Sequence, residues 1–348
     1  MKLTNIAKGV LRSKLLGKPF YAHLYITRRC NLTCKMCNVW RHGSKEDEME
    51  IDDLKRVCDT FKNLGITSVV ITGGEPFLRD DLPEIIRMFS ETGFLVRLQT
   101  NGSRLVTERR LKEVADAGLD LINISLDSLD PDKHDYICNS RGLWRYVVDN
   151  IERSVSILSN KAVNVATTIS NHNIEELPDI VSFVDNLGAS PLFIPIMLSE
   201  VMDKDAPYRA FSEEMSINRL DKAIVKDVFS KLIQLKKKNV KIGMSDKFLR
   251  AAEGFLLTGN MKWKCDAGLL YFAVYPNGLI SPCSEVKPVG NILRDDFTTL
   301  FRRQSYRRQM KQISENCAGC IHGCWREISY LMHDNSVLRE RIMSLLSN

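Results

Sequence analysis

The sequence has no apolar run close to the ~20 residues that a membrane-spanning helix requires. It also lacks the short apolar segment and small-residue cleavage site of a secretory signal peptide. Internal repeats and low-complexity linkers are missing as well. These absences argue against a membrane-spanning, exported or solenoid protein, and we expect a cytoplasmic one.

Acidic residues are missing from the first twenty positions, where lysine and arginine recur. Leu3, Ile6, Val10, Leu11 and Leu15 would share one face of a helix over this segment. A basic amphipathic helix of this kind either caps the open end or edge of a larger fold or lies on a membrane surface. Residues 1–18 therefore predict a peripheral contact with the inner membrane face as one alternative and a capping helix as the other.

Charge of one sign does not dominate the rest of the chain. The 49 basic and 43 acidic residues alternate along most of the 348 positions and leave a net charge of +6. This pattern is typical of a solvated surface, so we expect no nucleic-acid partner. The length allows one large domain and a smaller appendage.

Short β-branched runs alternate with amphipathic stretches in the first 200 residues. The predicted strands are 22–27, 68–71, 94–98, 121–124, 163–167 and 192–194, and the predicted helices are 51–64, 81–92, 106–117, 144–158 and 175–187. Six βα units indicate an α/β fold with a parallel sheet covered by helices. Six are too few to close an eight-stranded barrel, so we predict a partial (β/α)6 TIM-like barrel with its site at the carboxyl ends of the strands.

The predicted organisation has four parts: the N-terminal helix (1–20), the partial barrel (21–200), a helical connection (201–262) and a small C-terminal domain (263–348). In the last part, two apolar runs, 270–274 and 279–280, flank Pro276-Asn277-Gly278. This turn signal predicts a β-hairpin, followed by cysteine-bearing loops and short helices.

Ten cysteines are many for a cytoplasmic chain, and eight of them fall into two groups. Their spacing is unlike a secreted disulfide framework, so metal or cluster ligation is the better interpretation. The first group, Cys30, Cys34 and Cys37, directly follows the first predicted strand. Three soft thiolates can hold three irons of a cubane cluster and leave the fourth iron open, as catalytic metal sites require.

This CX3CX2C segment, with Trp40 just beyond it, resembles the signature of the radical S-adenosylmethionine (radical SAM) superfamily, and the resemblance extends over nearly the whole chain. Gly73-Gly74-Glu75-Pro76 after the second strand is similar to the family's GGEP motif, whose edge binds the amino group of S-adenosylmethionine. The resemblance implies that Cys30, Cys34 and Cys37 hold a catalytic [4Fe-4S] cluster. Met36, between two of these cysteines, is counted with the residues expected around the cofactor.

Polar residues follow the third, fourth and fifth predicted strands. The resemblance implies that they contact the ribose, methionine or adenosine parts of S-adenosylmethionine, and they are Asn101, Ser125, Asp127, Thr168, Ile169 and Asn173. Taken singly, each of them also suits a turn or a helix cap.

One position departs from the family pattern. Relatives usually carry His-Asp-x-x-Arg-Gly after the fourth strand, whereas this chain has His134-Asp135 followed by Cys138 at the arginine position. Arg141 is a candidate to replace that arginine toward the cofactor's carboxylate. Cys138 itself is either a hydrogen-atom donor to a substrate radical or an inert buried thiol.

The second cysteine group resembles a truncated form of the SPASM and Twitch domains, which carry auxiliary [4Fe-4S] clusters. Cys265 and Cys283 flank Gly278 at the spacing CX12GX4C, and Cys317, Cys320 and Cys324 follow as CX2CX3C. Five cysteines instead of seven imply one auxiliary cluster, and the sequence leaves its exact ligands open. A structural zinc site is the alternative for this group.

The resemblance implies a radical SAM enzyme, which cleaves S-adenosylmethionine reductively to a 5′-deoxyadenosyl radical and abstracts hydrogen from an unactivated carbon. It implies a reductant such as flavodoxin or ferredoxin as partner, and an auxiliary cluster that transfers electrons or binds substrate. Peptide maturation and lipid or isoprenoid modification are the leading substrate classes, ahead of haem-precursor, sugar or nucleoside oxidation. A non-catalytic iron–sulfur electron carrier is the rival, but it has no need of Gly73-Gly74-Glu75-Pro76.

Overall fold

The computed structural model describes residues 2–158, 162–197, 213–215, 217 and 220–346. The predicted helical connection begins at residue 201, and its stretch 201–212 lies outside the described residues. Its remainder contains α8 (Lys222–Lys237) and α9 (Asp246–Thr258). Within the described part, no helix is both long and apolar enough to cross a membrane.

One twisted sheet organises the described chain. Its strands are β1 (Tyr21–Thr27), β2 (Ser68–Gly73), β3 (Leu95–Thr100), β4 (Leu121–Ser125), β5 (Ala162–Ile169), β6 (Ser190–Pro195), β7 (Tyr271–Val274), β8 (Leu279–Ser281) and β9 (Gly290–Asn291). Strands β1 to β6 pair in parallel with their sequence neighbours, as the βα alternation predicts. The partial α/β barrel is therefore confirmed.

The C-terminal hairpin extends this sheet. Strand β7 pairs in parallel with β1, and β8 and β9 continue antiparallel beyond it, so the strand order is β6-β5-β4-β3-β2-β1-β7-β8-β9. Sequence patterns predicted the hairpin but not its attachment to β1. Such pairing between distant segments depends on tertiary contacts that local periodicity does not encode.

Helices flank the sheet on both sides. They are α1 (Lys2–Leu16), α2 (Ile51–Leu64), α3 (Leu82–Thr92), α4 (Glu108–Asp116), α5 (Pro131–Cys138), α6 (Leu143–Ile157) and α7 (Leu177–Asn186), with α10 (Phe297–Arg302), α11 (Gln304–Asn316), α12 (Gly323–His333) and α13 (Asn335–Leu346) after the hairpin. Helix α5 was missed, because the apolar residues after its first position, Tyr136, Ile137 and Cys138, are consecutive and form no pair at helical spacing. Its N-cap Asp130, which accepts from the Asp132 and Lys133 amides, and Pro131 at the first position were the available signals.

The two faces of the sheet differ in burial. In β3, β4 and β6, every second residue is fully buried against helices, and the intervening residues are only half-buried. The buried set is aliphatic or aromatic, for example Val96, Leu98, Ile122 and Phe193. The opposite set faces the interior of the barrel, where α12 approaches and its Trp325 stacks on Tyr271.

Candidate functional site

The cysteine loop of residues 28–38 lies at the carboxyl end of β1 and is held from several sides. The Lys35 amide donates to the Ile137 carbonyl (2.9 Å), which ties the loop to the end of α5. The Trp40 indole N–H donates to the Cys37 carbonyl (2.9 Å). Cys30, Cys34 and Cys37 are all partly exposed. The loop therefore presents its three thiols at the edge of the barrel formed by the carboxyl ends of the parallel strands, which we call the rim. This is where the sequence predicted the site.

Two of these thiols accept an amide hydrogen bond from the residue two positions later. The Val39 amide lies 3.5 Å from the Cys37 sulfur, and the Leu32 amide bonds to Cys30 in the same way. We call this arrangement the amide–sulfur turn. It stabilises a thiolate at a metal centre, because the N–H dipole points at the negative sulfur.

The free thiols of Cys30 and Cys37 are protonated at neutral pH. Burial is the largest cause that raises the pKa of Cys30 to about 11 and that of Cys37 to about 12. A bound metal or cluster must displace these protons, so ligation here is coupled to proton release.

The GGEP segment packs directly on the backbone that leads into Cys30. The Gly74 amide donates to the Thr27 carbonyl (2.9 Å), and the Glu75 amide donates to the Arg29 carbonyl (2.8 Å). A Cβ on Gly74 would lie 2.1 Å from the Arg29 oxygen, and one on Gly73 would lie 2.2 Å from the Thr27 oxygen. Both glycines are therefore required for close approach of the two loops, whatever they contribute to a ligand.

Glu75 is fully buried, and its carboxylate links two strand ends. Its oxygens accept hydrogen bonds from the Phe77 amide (3.0 Å), the Thr100 hydroxyl (2.8 Å) and the Asn101 amide (2.8 Å). Burial raises the pKa of Glu75 to about 7, and these bonds oppose the rise. The carboxylate thus fixes the β3 end, where the side-chain nitrogen Nδ2 of Asn101 lies 3.8 Å from the Cys30 sulfur.

The predicted contacts after β4 and β5 converge on a second buried carboxylate. Asp127 accepts a hydrogen bond from the Thr168 amide (2.8 Å), and the Asn173 side chain donates to the Asp127 carbonyl (2.6 Å). Burial raises the pKa of Asp127 to about 7. Ile169 is fully buried, whereas Ser125 and Thr168 are partly exposed. Asp127, Ile169 and Asn173 therefore brace the rim, and Ser125 and Thr168 keep surface toward its interior.

Cys138 is only 3% exposed. Its sulfur lies 3.8 Å from His134 Nε2 and 4.0 Å from Asp127 Oδ2, and a hydrogen bond with Cys34 is the largest of the effects that raise its pKa. The potential ligand atoms of Asp127, His134 and Cys138 lie within 4.8 Å of one another. His134 already accepts the Asp127 amide (3.1 Å), so hydrogen bonds account for this cluster without an ion.

The other two predicted residues near α5 lie apart from this cluster. Arg141 is exposed in the loop between α5 and α6. Met36 is partly buried and packs with Ile137 and Ile196.

Four C-terminal cysteines share the amide–sulfur turn. The Glu285 amide lies 3.4 Å from the Cys283 sulfur, and the Gly319 amide lies 3.3 Å from the Cys317 sulfur. The amides of Ala267 and His322 bond to Cys265 and Cys320 in the same manner. Burial is the largest cause that raises the pKa of Cys265 and of Cys283. Neighbouring sulfurs add to it, because the charge of Cys317 acts on Cys265 and the charges of Cys265 and Cys320 act on Cys283.

Cys324 differs from these four. It lies in the first turn of α12, where the Arg326 amide donates to the His322 carbonyl (3.0 Å) instead of to sulfur. Its own sulfur lies 3.9 Å from the Gln99 amide nitrogen, inside the barrel.

Residues on the inner wall of the barrel were missed by the sequence prediction. Gln99 accepts the Thr72 hydroxyl (2.9 Å), and Asn164 donates to Asn123 (2.9 Å), so a polar belt crosses β2 to β5. Arg97 lies on the same inner face as Gln99. The alternation of polar and apolar residues in Val96-Arg97-Leu98-Gln99 was the signal that could have identified them.

These features define an α/β enzyme with a sulfur-lined site at the carboxyl ends of parallel strands. The soft donors and the amide–sulfur turns fit iron–sulfur clusters in both cysteine groups. A profile of the Radical SAM superfamily matches residues 24–184, and one of the SPASM iron-sulfur cluster-binding domain matches residues 265–321.

Similar sequences carry enzyme names. A probable GTP 3′,8-cyclase of Methanocaldococcus jannaschii is 30% identical over 65% of this chain and 74% of its own. One of Methanococcus maripaludis is 29% identical over 78% and 85%. An AdoMet-dependent heme synthase of Oleidesulfovibrio alaskensis is 24% identical over 85% and 78%. The chain therefore belongs to the radical SAM superfamily, and its cofactors are S-adenosylmethionine, a catalytic [4Fe-4S] cluster and an auxiliary [4Fe-4S] cluster.

Solved structures share the fold at low identity. Streptococcus suis SuiB superposes with a TM-score of 0.66 at 18% identity, over 89% of this chain and 72% of SuiB. Native anSMEcpe with bound AdoMet superposes with a TM-score of 0.63 at 17% identity, over 88% of this chain and 89% of its own. Both support the partial barrel with a C-terminal extension.

Proposed function

We propose that Cys30, Cys34 and Cys37 hold the catalytic cluster and that the rim around them binds S-adenosylmethionine. When bound, the cluster and S-adenosylmethionine supply a 5′-deoxyadenosyl radical that abstracts hydrogen from a substrate carbon. The observation that carries this proposal is the convergence of the cysteine loop, the GGEP loop and Asn101 at one end of the sheet.

The chain's own residues orient these groups. Glu75 fixes the β3 end beside Cys30, and Asp127 with Asn173 fixes the ends of β4 and β5. Asn101, Ser125 and Thr168 keep partly exposed polar atoms for the cofactor. Cys138 is buried behind Cys34, which favours a supporting thiol over a hydrogen-atom donor.

The test is anaerobic reconstitution with iron and sulfide, followed by dithionite, S-adenosylmethionine and quantification of 5′-deoxyadenosine. Two clusters predict about eight irons per chain, of which about four are lost in a Cys30→Ala, Cys34→Ala, Cys37→Ala variant together with all 5′-deoxyadenosine. Cys58→Ala is the matched control, because Cys58 is buried beside Thr92, away from both cysteine groups. Cofactor cleavage in the triple variant, or protein that holds only zinc, contradicts the proposal.

We propose Cys265, Cys283, Cys317 and Cys320 as the ligands of the auxiliary cluster. All four share the amide–sulfur turn with Cys30 and Cys37, and the SPASM match ends at residue 321, before Cys324. Alanine at any one of the four should remove the auxiliary irons or make that cluster unstable to desalting. Cys324→Ala should keep the full iron content, and its loss of iron would return Cys324 to the ligand set.

We propose two leading substrate classes, a peptide and a lipid or isoprenoid. The polar belt inside the barrel favours the peptide over the lipid or isoprenoid. A haem precursor, sugar or nucleoside is the second candidate, because similar sequences are named GTP 3′,8-cyclase and heme synthase. Flavodoxin or ferredoxin is the proposed reductant. Deuterated candidate substrates separate the classes, since only the true substrate transfers deuterium into 5′-deoxyadenosine. Absence of deuterium transfer from deuterated GTP would exclude GTP as the substrate.

A peripheral membrane contact through residues 1–18 is proposed for the outer side of α1. Leu11, Leu15 and Leu16 are exposed by 59%, 72% and 61%, while Ser13 and Gly9 face the protein. The Leu11→Ser, Leu15→Ser, Leu16→Ser variant should lose co-sedimentation with phosphatidylglycerol vesicles. An Ile342→Ser, Met343→Ser variant on α13 is the control, since these side chains are also exposed. Equal sedimentation of all proteins, or none for wild type, contradicts the contact.

A further inference from the structure

The interior of the barrel is a polar lumen. Along β3, β4 and β5, residues that alternate with the buried core keep partial exposure although they lie inside the sheet's curve. Their polar members are Arg97, Gln99, Asn123, Asn164 and Thr168. Residues inside a barrel keep exposure only if they line a space open to solvent.

Arg97 is the cation of this lumen. No carboxylate pairs with it in the described ranges, and its Nε is buried without a hydrogen-bond partner. Its guanidinium lies over the face of Tyr21, with Cζ 5.9 Å from the ring centre, and its charge acts on the Cys324 thiol. An inward guanidinium without a partner is costly, and structures usually satisfy it with an anion.

The surroundings of Arg97 are those of a binding site. His23, Val70 and Arg97 lie opposite one another on β1, β2 and β3. His23 is only 4% exposed, and its Nδ1 is likewise buried without a hydrogen-bond partner. Above them, the side-chain oxygens of Gln99 and Asn123 accept hydrogen bonds from neighbouring side chains. The side-chain nitrogens of both residues therefore point away from these neighbours and can act as donors. The Arg97 guanidinium and the amide N–H groups beside it are hydrogen-bond donors that suit a negatively charged group.

We infer that the substrate carries a carboxylate or phosphate group that Arg97 binds at the inner end of the lumen. The planar guanidinium matches both anions through paired hydrogen bonds. Arg97 and Asn101 are four residues apart on one strand, so roughly 13 Å separates the anion from the rim beside Cys30. The substrate is therefore anchored at its anionic end and reacts at the other. This inference rests on the proposed function, which assigns the reaction to that rim.

The experiment titrates cluster-replete protein with inorganic pyrophosphate and, separately, with succinate, by calorimetry. At least one probe should bind wild type and be at least about tenfold weaker in Arg97→Gln, the loss expected for a charge-assisted hydrogen-bonded pair. Arg97→Lys keeps the charge but not the paired geometry and should be intermediate. Arg87→Gln, on the exposed side of α3, changes net charge equally and should bind as wild type does.

The two probes identify the source of the anion. Binding of pyrophosphate alone indicates a phosphorylated substrate, and binding of succinate alone indicates a carboxylate. Absence of binding by either probe at millimolar concentration overturns the inference, as does equal affinity in wild type and Arg97→Gln.

Location is checked at Cys324, whose sulfur faces Gln99 and the charge of Arg97. Anionic iodoacetate should modify Cys324 faster, relative to neutral iodoacetamide, in wild type than in Arg97→Gln. An unchanged ratio, or no modification by either reagent, overturns the inference. Because this ratio reports on the lumen alone, it remains decisive even where Arg97→Gln binds the titrated anions on its outer surface. Wild-type protein that makes no 5′-deoxyadenosine defeats the proposed function instead, whatever the titrations give.

Discussion

Replacement of Gly74 by alanine should disable the catalytic site while leaving most of the fold intact. The added Cβ would lie 2.1 Å from the Arg29 carbonyl oxygen. Ordinary carbon–oxygen contacts are about 3.3 Å, so the backbone before Cys30 must move by roughly 1.2 Å. Overpacking of this kind costs about 1–3 kcal/mol of the free energy of unfolding.

The chemical consequence should exceed the loss of stability. A displacement of about 1 Å at a reacting group commonly costs about 100-fold in rate. We therefore expect Gly74→Ala to form 5′-deoxyadenosine at about one hundredth of the wild-type rate, with reduced iron at the catalytic cluster. The assays are iron content, 5′-deoxyadenosine formation and urea unfolding on the same preparations.

Gly254→Ala provides the matched control. Gly254 lies within α9, and its added Cβ would meet nothing within 4 Å. Alanine there should stabilise the protein by about 0.5–1 kcal/mol, because glycine is a poor helix former. The reasoning is refuted if Gly74→Ala is as active and as stable as Gly254→Ala.

Three further predictions concern buried side chains. Burial lowers the pKa of His23 to about 3 from 6.5, and the charges of His322 and Arg97 add to this effect. Because the pKa is lower in the folded state, the contribution of His23 to stability is complete above pH 6.5 and falls as the pH drops toward 3. At pH 5 the free energy of unfolding should be lower by about 2 kcal/mol. Urea unfolding at pH 7 and pH 5 checks this, and His23→Gln should reduce the difference in stability between the two pH values; an unchanged difference would contradict the assignment to His23. Trp325→Ala should cost about 3–5 kcal/mol in the same unfolding assay, since Trp325 is 2% exposed and stacks on Tyr271; a loss below 1 kcal/mol, about one methylene, would contradict its core role. Cys138→Ser should retain 5′-deoxyadenosine formation, and its abolition would reveal a direct part in the chemistry.

The fold could largely be predicted because its signals are local. Each of β1 to β6 begins and ends within a few residues of the predicted strand, since β-branched runs and the amphipathic helices between them have distinct periods. Cysteine spacing and the GGEP residues likewise predicted a site at this edge of the sheet, and the structure brings these residues together there. Helix α5 was missed by the sequence prediction, because its eight residues provide too little periodicity.

Tertiary structure decided what long-range pairing controls. The attachment of β7 to β1 brings the C-terminal cysteines onto the barrel, and no local pattern encodes that register. The Cys324 sulfur faces Gln99, whereas the other four C-terminal cysteines form amide–sulfur turns, although Cys320 and Cys324 are close in sequence. Glu75 and Asp127 proved to be buried braces, because folding surrounds them with amide donors.

The sequence by itself thus determined the chemistry that the chain can perform, since ligand type and spacing are written in consecutive residues. Only the tertiary structure determined which side chains remain available for a substrate. Arg97 shows why: it is one charged residue within a strand, and its lack of a carboxylate partner among the described residues becomes visible only when β1, β2 and α12 surround it.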